Sequence, residues 1–131
     1  MNAARYERQG AAGDVLVLGE MEDAQPRAGE VRIRVAFSGV NPGDIKKRED
    51  SFHVGCRIHG SFRTAIVRAS LMRLAKECRG EWIGRRVWCY GAQSYRPFGT
   101  AAEYTVVRSQ QVVQILDHVP LEQGACLGIP A

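Results

Sequence analysis

The residues best suited to chemistry lie in two short stretches. In the first, residues 38–46 (SGVNPGDIK), Asn41 carries an amide and Asp44 carries a carboxylate three positions later. The proline after Asn41 biases that residue to an extended backbone, so its amide projects from the loop. An amide is a poor metal ligand but a good hydrogen-bond donor, and a carboxylate accepts hydrogen bonds. The glycines and proline here are also ordinary turn chemistry, and residue types alone favour a plain turn over a functional loop.

The second stretch places His53, Cys56 and His59 at H-x2-C-x2-H spacing, which superficially resembles a metal site. Three ligands this close are hard to close into a tetrahedral site without a distant fourth. The four cysteines of the chain are scattered and form no C-x2-C pair, so neither a zinc lobe nor a disulfide framework is indicated. We therefore expect no bound metal and reduced thiols.

The first stretch follows the strongest strand signal in the chain. Val31, Ile33, Val35 and Phe37 alternate with other residues, which is typical of a half-buried strand. Further strands are predicted at 3–7, 14–21, 86–90, 101–107 and 112–115, loops at 23–29 and 91–99, and a helix beginning at Pro120. Many short strands with closely spaced turns predict a mainly β (α+β) domain, built as a barrel or a sandwich.

Composition is that of an ordinary globular domain. The length of 131 residues is enough for one domain with a hydrophobic core, and the content of 45% hydrophobic and 24% charged residues is usual for a globular protein. No apolar run approaches the ~20 residues that span a bilayer, and the first residues lack the apolar core of a signal peptide. We therefore expect a cytoplasmic protein that does not insert into membranes.

Four segments in order resemble one family, the zinc-independent, zeta-crystallin-like quinone oxidoreductases of the medium-chain dehydrogenase/reductase superfamily. The segments are residues 29–35 (GEVRIRV), 39–44 (GVNPGD), 98–104 (FGTAAEY) and 122–131 (EQGACLGIPA). They resemble, respectively, the family's GEVxVxV strand, its GVNPxD loop, its GTxAEY strand and its run into the helix that leads to the cofactor domain. Any one match is weak, but four in the right order are specific. The resemblance covers residues 1–52 and 81–131.

The resemblance implies a fold and roles for particular residues. The fold is a GroES-like, partly open β-barrel that forms the substrate domain. Asn41 stands where zinc-dependent relatives place a catalytic cysteine, and its amide would bond a substrate carbonyl or the nicotinamide ribose. Asp44 would accept from a ribose hydroxyl, although residue type alone favours bracing of its own turn. Phe52 would lie near the quinone, although core packing is the commoner role.

The implied reaction is hydride transfer from NADPH to a quinone or another conjugated carbonyl. The 131 residues contain no G-x-G-x-x-G, the phosphate-binding fingerprint of the family's nucleotide-binding domain. We expect the chain to be the N-terminal substrate domain alone and inactive by itself, with a homodimer possible for the full-length family. Trp88, Tyr90 and Tyr95 would line the cleft, with one of the two strand aromatics, Trp88 or Tyr90, in the core.

Residues 53–80 match nothing in the family. They hold six of the 18 basic residues and one of the 14 acidic ones, and so account for the whole positive excess of +4. Apolar residues between 66 and 78 recur at helical spacing where the family has a strand and a glycine turn. Read one base upstream, the codons of 56–66 permit MPYPRVIPHSD and those of 72–78 permit DAVGEGV, both similar to the family; only Val67 cannot yield the expected glycine. We therefore predict a segment between two compensating frameshifts, which would pack poorly.

Two other function classes stay open. A stand-alone β-barrel binding module would need no cofactor, and the Asn41 loop argues against it. A basic nucleic-acid-binding protein would depend on residues 53–80 alone, and the frameshift explains their charge without a nucleic acid. The leading expectation is a small-molecule quinone or enone substrate.

Overall fold

The computed structural model describes residues 1–51, 53, 83–92 and 99–127, together with the backbone of 67–74. Within these residues the strands form a two-stranded and a five-stranded sheet. The elements in chain order are β1 (Asn2–Arg5), α1 (Ala12–Val15), β2 (Val17–Glu20), β3 (Glu30–Ser38), α2 (Pro42–Arg48), β4 (Val67–Leu74), β5 (Arg86–Cys89), β6 (Tyr104–Arg108), β7 (Val112–Gln114) and α3 (Leu121–Ala125).

Strand β3 lies inside the larger sheet, whose order is β6-β3-β4-β5-β7. It pairs antiparallel with β6 along one edge, from Glu30 opposite Arg108 to Arg34 opposite Tyr104, and with β4 along the other. Its β-branched residues suit a pleated surface, and Val31 and Ile33 are fully buried. Neighbouring strands and the turn after β5 add buried side chains to the same core: Val87, Cys89, Ala92, Val107 and Val112.

The alternation predicted for β3 holds in its first half and fails in its second. Val35 is only partly buried against the core, and Phe37 is 40% exposed. The pairing with β4 shifts register between Val35 and Phe37, which marks a β-bulge or similar irregularity. A bulge inserts a residue and redirects the side chains that follow it. The strand therefore leaves the core before it reaches the Asn41 stretch.

Residues 101–103 join the two sheets. Ala102 forms an isolated bridge with Ala3, Ala4 donates to the carbonyl of Ala101 at 2.8 Å, and Glu103 donates to Asn2 at 3.0 Å. On the other side, the Val35 N–H donates to the carbonyl of Glu103 at 2.9 Å. The antiparallel pair of β1 and β2, which we call the N-terminal hairpin, is thereby hydrogen-bonded through this segment to β3.

The strands predicted around 31–37, 86–90, 101–107 and 112–115 are present, with ends that differ by a few residues. The strand predicted at 14–21 is confirmed only for Val17–Glu20, because Ala12–Val15 forms one turn of helix that buries Val15. The expected helix at the chain's end begins one residue after Pro120, which is its N-cap. No helix within the described residues is long and apolar enough to cross a membrane.

The helical periodicity of residues 66–78 is wrong as a predictor of structure for Val67–Leu74, the part of it that the structure describes. Residues Val67–Leu74 form strand β4, which pairs with β3 over its length and with β5 at Ala69 and Ser70. The backbone groups of β3 and β5 offer hydrogen bonds that only an extended chain between them can complete, and this tertiary demand overrides the local pattern.

The expectation that one of Trp88 and Tyr90 is core is also wrong. Alternation along β5 buries Val87 and Cys89 instead, leaving Trp88 half-buried and Tyr90 exposed.

We expect Thr105→Val to stabilise the protein. Thr105 is fully buried beside Ile33, and its Oγ1 finds no hydrogen-bond partner in the part of the chain that the structure describes. An unsatisfied buried hydroxyl costs about 1–3 kcal/mol, and valine removes it at nearly constant shape. Urea denaturation should show a free energy of unfolding raised by about 1 kcal/mol. The matched control is Thr100→Val, because the equally buried Thr100 shares a 3.3 Å hydrogen bond with Ser38 and should lose stability. A loss of stability in both variants would contradict the assignment.

We expect Cys89 to resist alkylation while Cys126 reacts. Burial raises the pKa of the Cys89 thiol to about 12, whereas Cys126 is an exposed free thiol. The reactive species is the thiolate, so both access and ionisation protect Cys89. Iodoacetamide labelling read out by peptide mass spectrometry should modify Cys126 within minutes and Cys89 only after guanidinium chloride unfolds the chain. Equal labelling of Cys89 and Cys126 in the native protein would show that the core around β5 opens readily.

Candidate functional site

Asn41 does not lie in a plain turn but begins helix α2, Pro42–Arg48. Its backbone is extended, with φ −113° and ψ 155°, as the following proline favours. Pro42 occupies the first helical position, where a missing N–H costs nothing. Asp44 lies in the first turn and a basic run, Lys46 to Arg48, in the last, so both ends complement the helix dipole. The amide and the carboxylate therefore stand on a short rigid element at the end of β3.

One oxygen of Asp44 braces the start of this helix. The Asn41 N–H donates to Oδ2 of Asp44 at 2.8 Å, and the Asp44 N–H donates to the carbonyl of Asn41 at 2.9 Å. A side chain at the third helical position that accepts from the N-cap N–H is one half of a capping box. The bracing expected of Asp44 from residue type is confirmed.

The other oxygen of Asp44 has no such role. Oδ1 is buried and has no hydrogen-bond partner among the described residues. A carboxylate oxygen shielded from water without a donor is unfavourable by about 1–3 kcal/mol or more. Within the described residues, the first turn of α2 therefore holds a buried acceptor without a donor.

Apolar side chains flank this pair along the chain. Phe37, Val40 and Ile45 are all exposed, with Val40 at 70%. Large apolar side chains exposed within one short stretch often mark a binding surface. This stretch therefore combines an amide, a carboxylate and exposed apolar side chains within residues 37–45.

The structure describes only some of the remaining predicted site residues. Phe52 and Tyr95 lie outside the described residues, so their predicted contacts with substrate stay predictions. Trp88 and Tyr90 lie at and just beyond the end of β5, with ring centroids 6.1 Å apart, and Tyr90 donates through its hydroxyl to the carbonyl of Gln110 at 3.1 Å. Of these candidates, the structure brings together Asn41 and Asp44.

The H-x2-C-x2-H motif also falls largely outside the description. His53 is described, with a left-handed φ of 50°, but Cys56 and His59 lie outside the described residues. Across the described part of the chain, no three His, Cys, Asp or Glu side chains are grouped to hold a metal ion. The motif's interpretation therefore stays a prediction.

Sequence reasoning missed two features of the site, helix α2 and the buried Arg48. The signal for the helix was present, because Asn41-Pro42 followed by an acid at the third helical position is a helix N-terminus signature. Arg48 offered none, because a lone arginine in a basic run reads as a solvated surface residue.

Comparison with known proteins identifies the fold. No protein-family model matches the sequence, and no curated protein matches it significantly. Among solved structures, the quinone oxidoreductase of Pseudomonas syringae pv. tomato DC3000 superposes with a TM-score of 0.80 at 22% identity over 96% of this chain and 37% of that chain. The quinone oxidoreductase of Coxiella burnetii gives 0.77 at 20% identity over 96% of this chain and 40% of that one. A thermostable alcohol dehydrogenase of Pyrobaculum aerophilum superposes with a TM-score of 0.79 at 24% identity, over 98% of this chain and 45% of that chain.

These likenesses show that the chain has the fold of part of such oxidoreductases. Identities of 20–24% support a common fold and no finer assignment. The chain spans 37–45% of the length of the three solved chains.

We expect Asp44→Ala to leave stability nearly unchanged. The hydrogen bond from Asn41 to charged Oδ2 contributes about 1.5–3 kcal/mol, while Oδ1, which has no partner among the described residues, costs about 1–3 kcal/mol, so the two effects nearly cancel. Urea denaturation should show a change in unfolding free energy below about 1 kcal/mol. The matched control is Asp14→Ala, an exposed acid in the first turn of α1. A loss of about 3 kcal/mol for Asp44→Ala would mean that the carboxylate is a fully satisfied structural brace.

Proposed function

We propose that this chain is the substrate domain of an oxidoreductase that reduces a quinone or another conjugated carbonyl with NADPH. The fold similarity to two quinone oxidoreductases and an alcohol dehydrogenase supports the reaction class. The GVNPGD stretch at 39–44 supports the quinone reductase branch over the zinc-dependent dehydrogenases. In this proposal the sheet and its joined N-terminal hairpin form a GroES-like, partly open barrel.

One observation carries the proposal: Oδ1 of Asp44 at the start of α2 is buried and has no hydrogen-bond partner among the residues that the structure describes. An acceptor without a donor is what a ribose hydroxyl of a nicotinamide cofactor would complete, so the residues present fit that group. Asp44 would then serve twice, holding Asn41 through Oδ2 and the cofactor through Oδ1. Bound NADPH would supply the hydride.

Asn41 supplies the polarising group. Its side-chain amide can donate a hydrogen bond to a carbonyl oxygen on which negative charge develops. The 2.8 Å bond from its own N–H to Asp44 holds the residue at the helix start, so that the donor is oriented before substrate arrives. Removing one donor of this kind typically lowers kcat by about 10²–10³-fold.

The finer assignments rest on the family resemblance. We assign NADPH as the cofactor, Phe52 as a side chain near the quinone, and no metal in the reaction. The partner is a small-molecule quinone or enone in the cytoplasm, with neither nucleic acid nor membrane involved and with a homodimer as the assembly of the two-domain enzyme. Residues 53–80 are assigned to a frameshifted segment that replaces residues which the family places beside the substrate.

We expect the 131-residue chain alone not to oxidise NADPH with a simple benzoquinone. The Asn41 stretch lines only one side of a cleft, and these residues contain no glycine-rich phosphate-binding turn to hold the pyrophosphate. Activity should appear when the frame across 53–80 is restored and the nucleotide-binding domain of the P. syringae quinone oxidoreductase is appended. Absorbance of NADPH reports the rate.

In that two-domain enzyme, Asn41→Ala should lower kcat by about 10²-fold, because the carbonyl loses its donor. The matched control is Gln114→Ala, which removes an exposed amide on β7 and should leave kcat unchanged. Turnover by the unrepaired 131-residue chain above a heat-denatured control would contradict the fragment assignment. An unchanged kcat for Asn41→Ala would contradict the role of its amide.

A further inference from the structure

Arg48 is a charged residue that the fold buries at the end of α2. Arginine is almost never buried without partners, because its charge loses hydration. One terminal nitrogen, Nη2, lies 2.8 Å from the half-exposed carboxylate of Glu49, and the other, Nη1, donates to the carbonyl of Gly10. The guanidinium thus reaches from α2 to a loop 38 residues earlier in the chain.

That loop returns two hydrogen bonds to the same helix end. The Gly10 N–H donates to the carbonyl of Arg48 at 2.9 Å, and Nε2 of Gln9 donates to the carbonyl of Lys47 at 2.9 Å. Carbonyls in the last turn of a helix have no partner within the helix. Gln9, Gly10 and Arg48 together therefore form a clamp of three hydrogen bonds on the end of α2.

The chain after α2 also donates to carbonyls in the last turn of the helix. Ser51 donates to Lys46 at 2.9 Å and Asp50 to Lys47 at 3.4 Å, with Asp50 in the left-handed conformation. This is the hydrogen-bond pattern of a Schellman motif, which ends a helix at a defined residue. Carbonyls at the end of α2 thus accept hydrogen bonds both from the chain that follows and from the Gln9–Gly10 loop.

The loop that forms the clamp is itself seated against the protein. Gly10 has a φ of +154°, and a Cβ on it would lie 2.8 Å from Cγ1 of Val15, a buried residue of α1. No side chain fits at this position unless Val15 moves. The clamp therefore connects α2 to a packed part of the fold.

We infer that Arg48 is a positioning residue for the Asn41–Asp44 site. The helix is seven residues long, about 10 Å, and Gly39 and Val40 connect its N-cap to the end of β3. A second fixed point is needed to set the direction of the helix, and the clamp at its far end provides it. The part of this inference that concerns catalysis rests on the proposed function of Asn41 and Asp44.

The first test measures amide hydrogen exchange in the 131-residue chain by NMR. Arg48→Met should raise the exchange rate of the Asn41 N–H, which donates to Asp44, by roughly tenfold, while the core amide of Val107 keeps its rate. Arg48→Lys keeps the charge but not the planar two-sided fork, so it should give a smaller rise. Gly10→Ala, which disturbs the clamp from its other side, should act like Arg48→Met.

The control is Glu49→Gln, which leaves the contact with Gly10 in place and should change the Asn41 rate by less than about twofold. Unchanged exchange at Asn41 in both Arg48→Met and Gly10→Ala would overturn the inference. Equal acceleration at Asn41 and Val107 in every variant, including Arg48→Lys, would also overturn it, because Arg48 would then serve only global stability.

The second test uses the frame-restored two-domain enzyme. Arg48→Met should lower kcat by roughly tenfold with Arg48→Lys recovering part of the loss, because a misdirected Asn41 supports the transition state less well. An unchanged kcat in Arg48→Met, with Asn41→Ala impaired, would overturn the catalytic part of the inference. Faster Asn41 exchange in Arg48→Met together with normal turnover in Asn41→Ala would support the positioning role of Arg48 and reject the proposed function of Asn41.

Discussion

The double pairing of β3 is the constraint on which the rest of the structure depends. With β6 on one edge and β4 on the other, this strand cannot shift without breaking both sets of backbone hydrogen bonds. Buried Val31 and Ile33 fix which face points to the core, since a slip of one residue would expose both. The point at which the chain leaves the sheet, and hence the position of Asn41, follows from this strand.

The two ends of helix α2 differ in whether their polar groups have hydrogen-bond partners among the described residues. At its last turn, the chain after it and the N-terminal loop both donate to carbonyls that would otherwise lack partners. At its first turn, Oδ2 of Asp44 accepts from Asn41, whereas the buried Oδ1 has no donor in the described part of the chain. Native proteins leave few buried polar atoms unpaired, and those they leave often belong to functional sites. This contrast within one seven-residue helix is the reason why we propose its first turn as the ligand site.

Much of the sheet was predictable from sequence because its signals are local. The alternation of Val31 and Ile33 marks β3, and the left-handed Gly84 marks the turn before β5. The prediction failed where tertiary demands outweigh local ones. Strand β4 forms despite a helical apolar period, because β3 and β5 both need an extended partner, and Phe37 turns outward where the pairing slips register.

The site was half predictable for a related reason. Asn41 and Asp44 were identified together, since both belong to one short motif. Arg48 was not, because its burial and its hydrogen bonds with Gly10 join residues that are distant in sequence and close only after folding. A residue that positions a site through tertiary contacts leaves no mark in its own neighbourhood.

The most direct test of the central claim is a crystal structure of the frame-restored two-domain protein with its nicotinamide cofactor bound. The distance that matters joins Oδ1 of Asp44 to the nearest ribose hydroxyl oxygen. The proposal predicts a hydrogen bond of about 2.5–3.0 Å, with Oδ2 still accepting from the Asn41 N–H. A cofactor bound with its riboses remote from Asp44, and Oδ1 satisfied by a protein group or left unpaired, would contradict it.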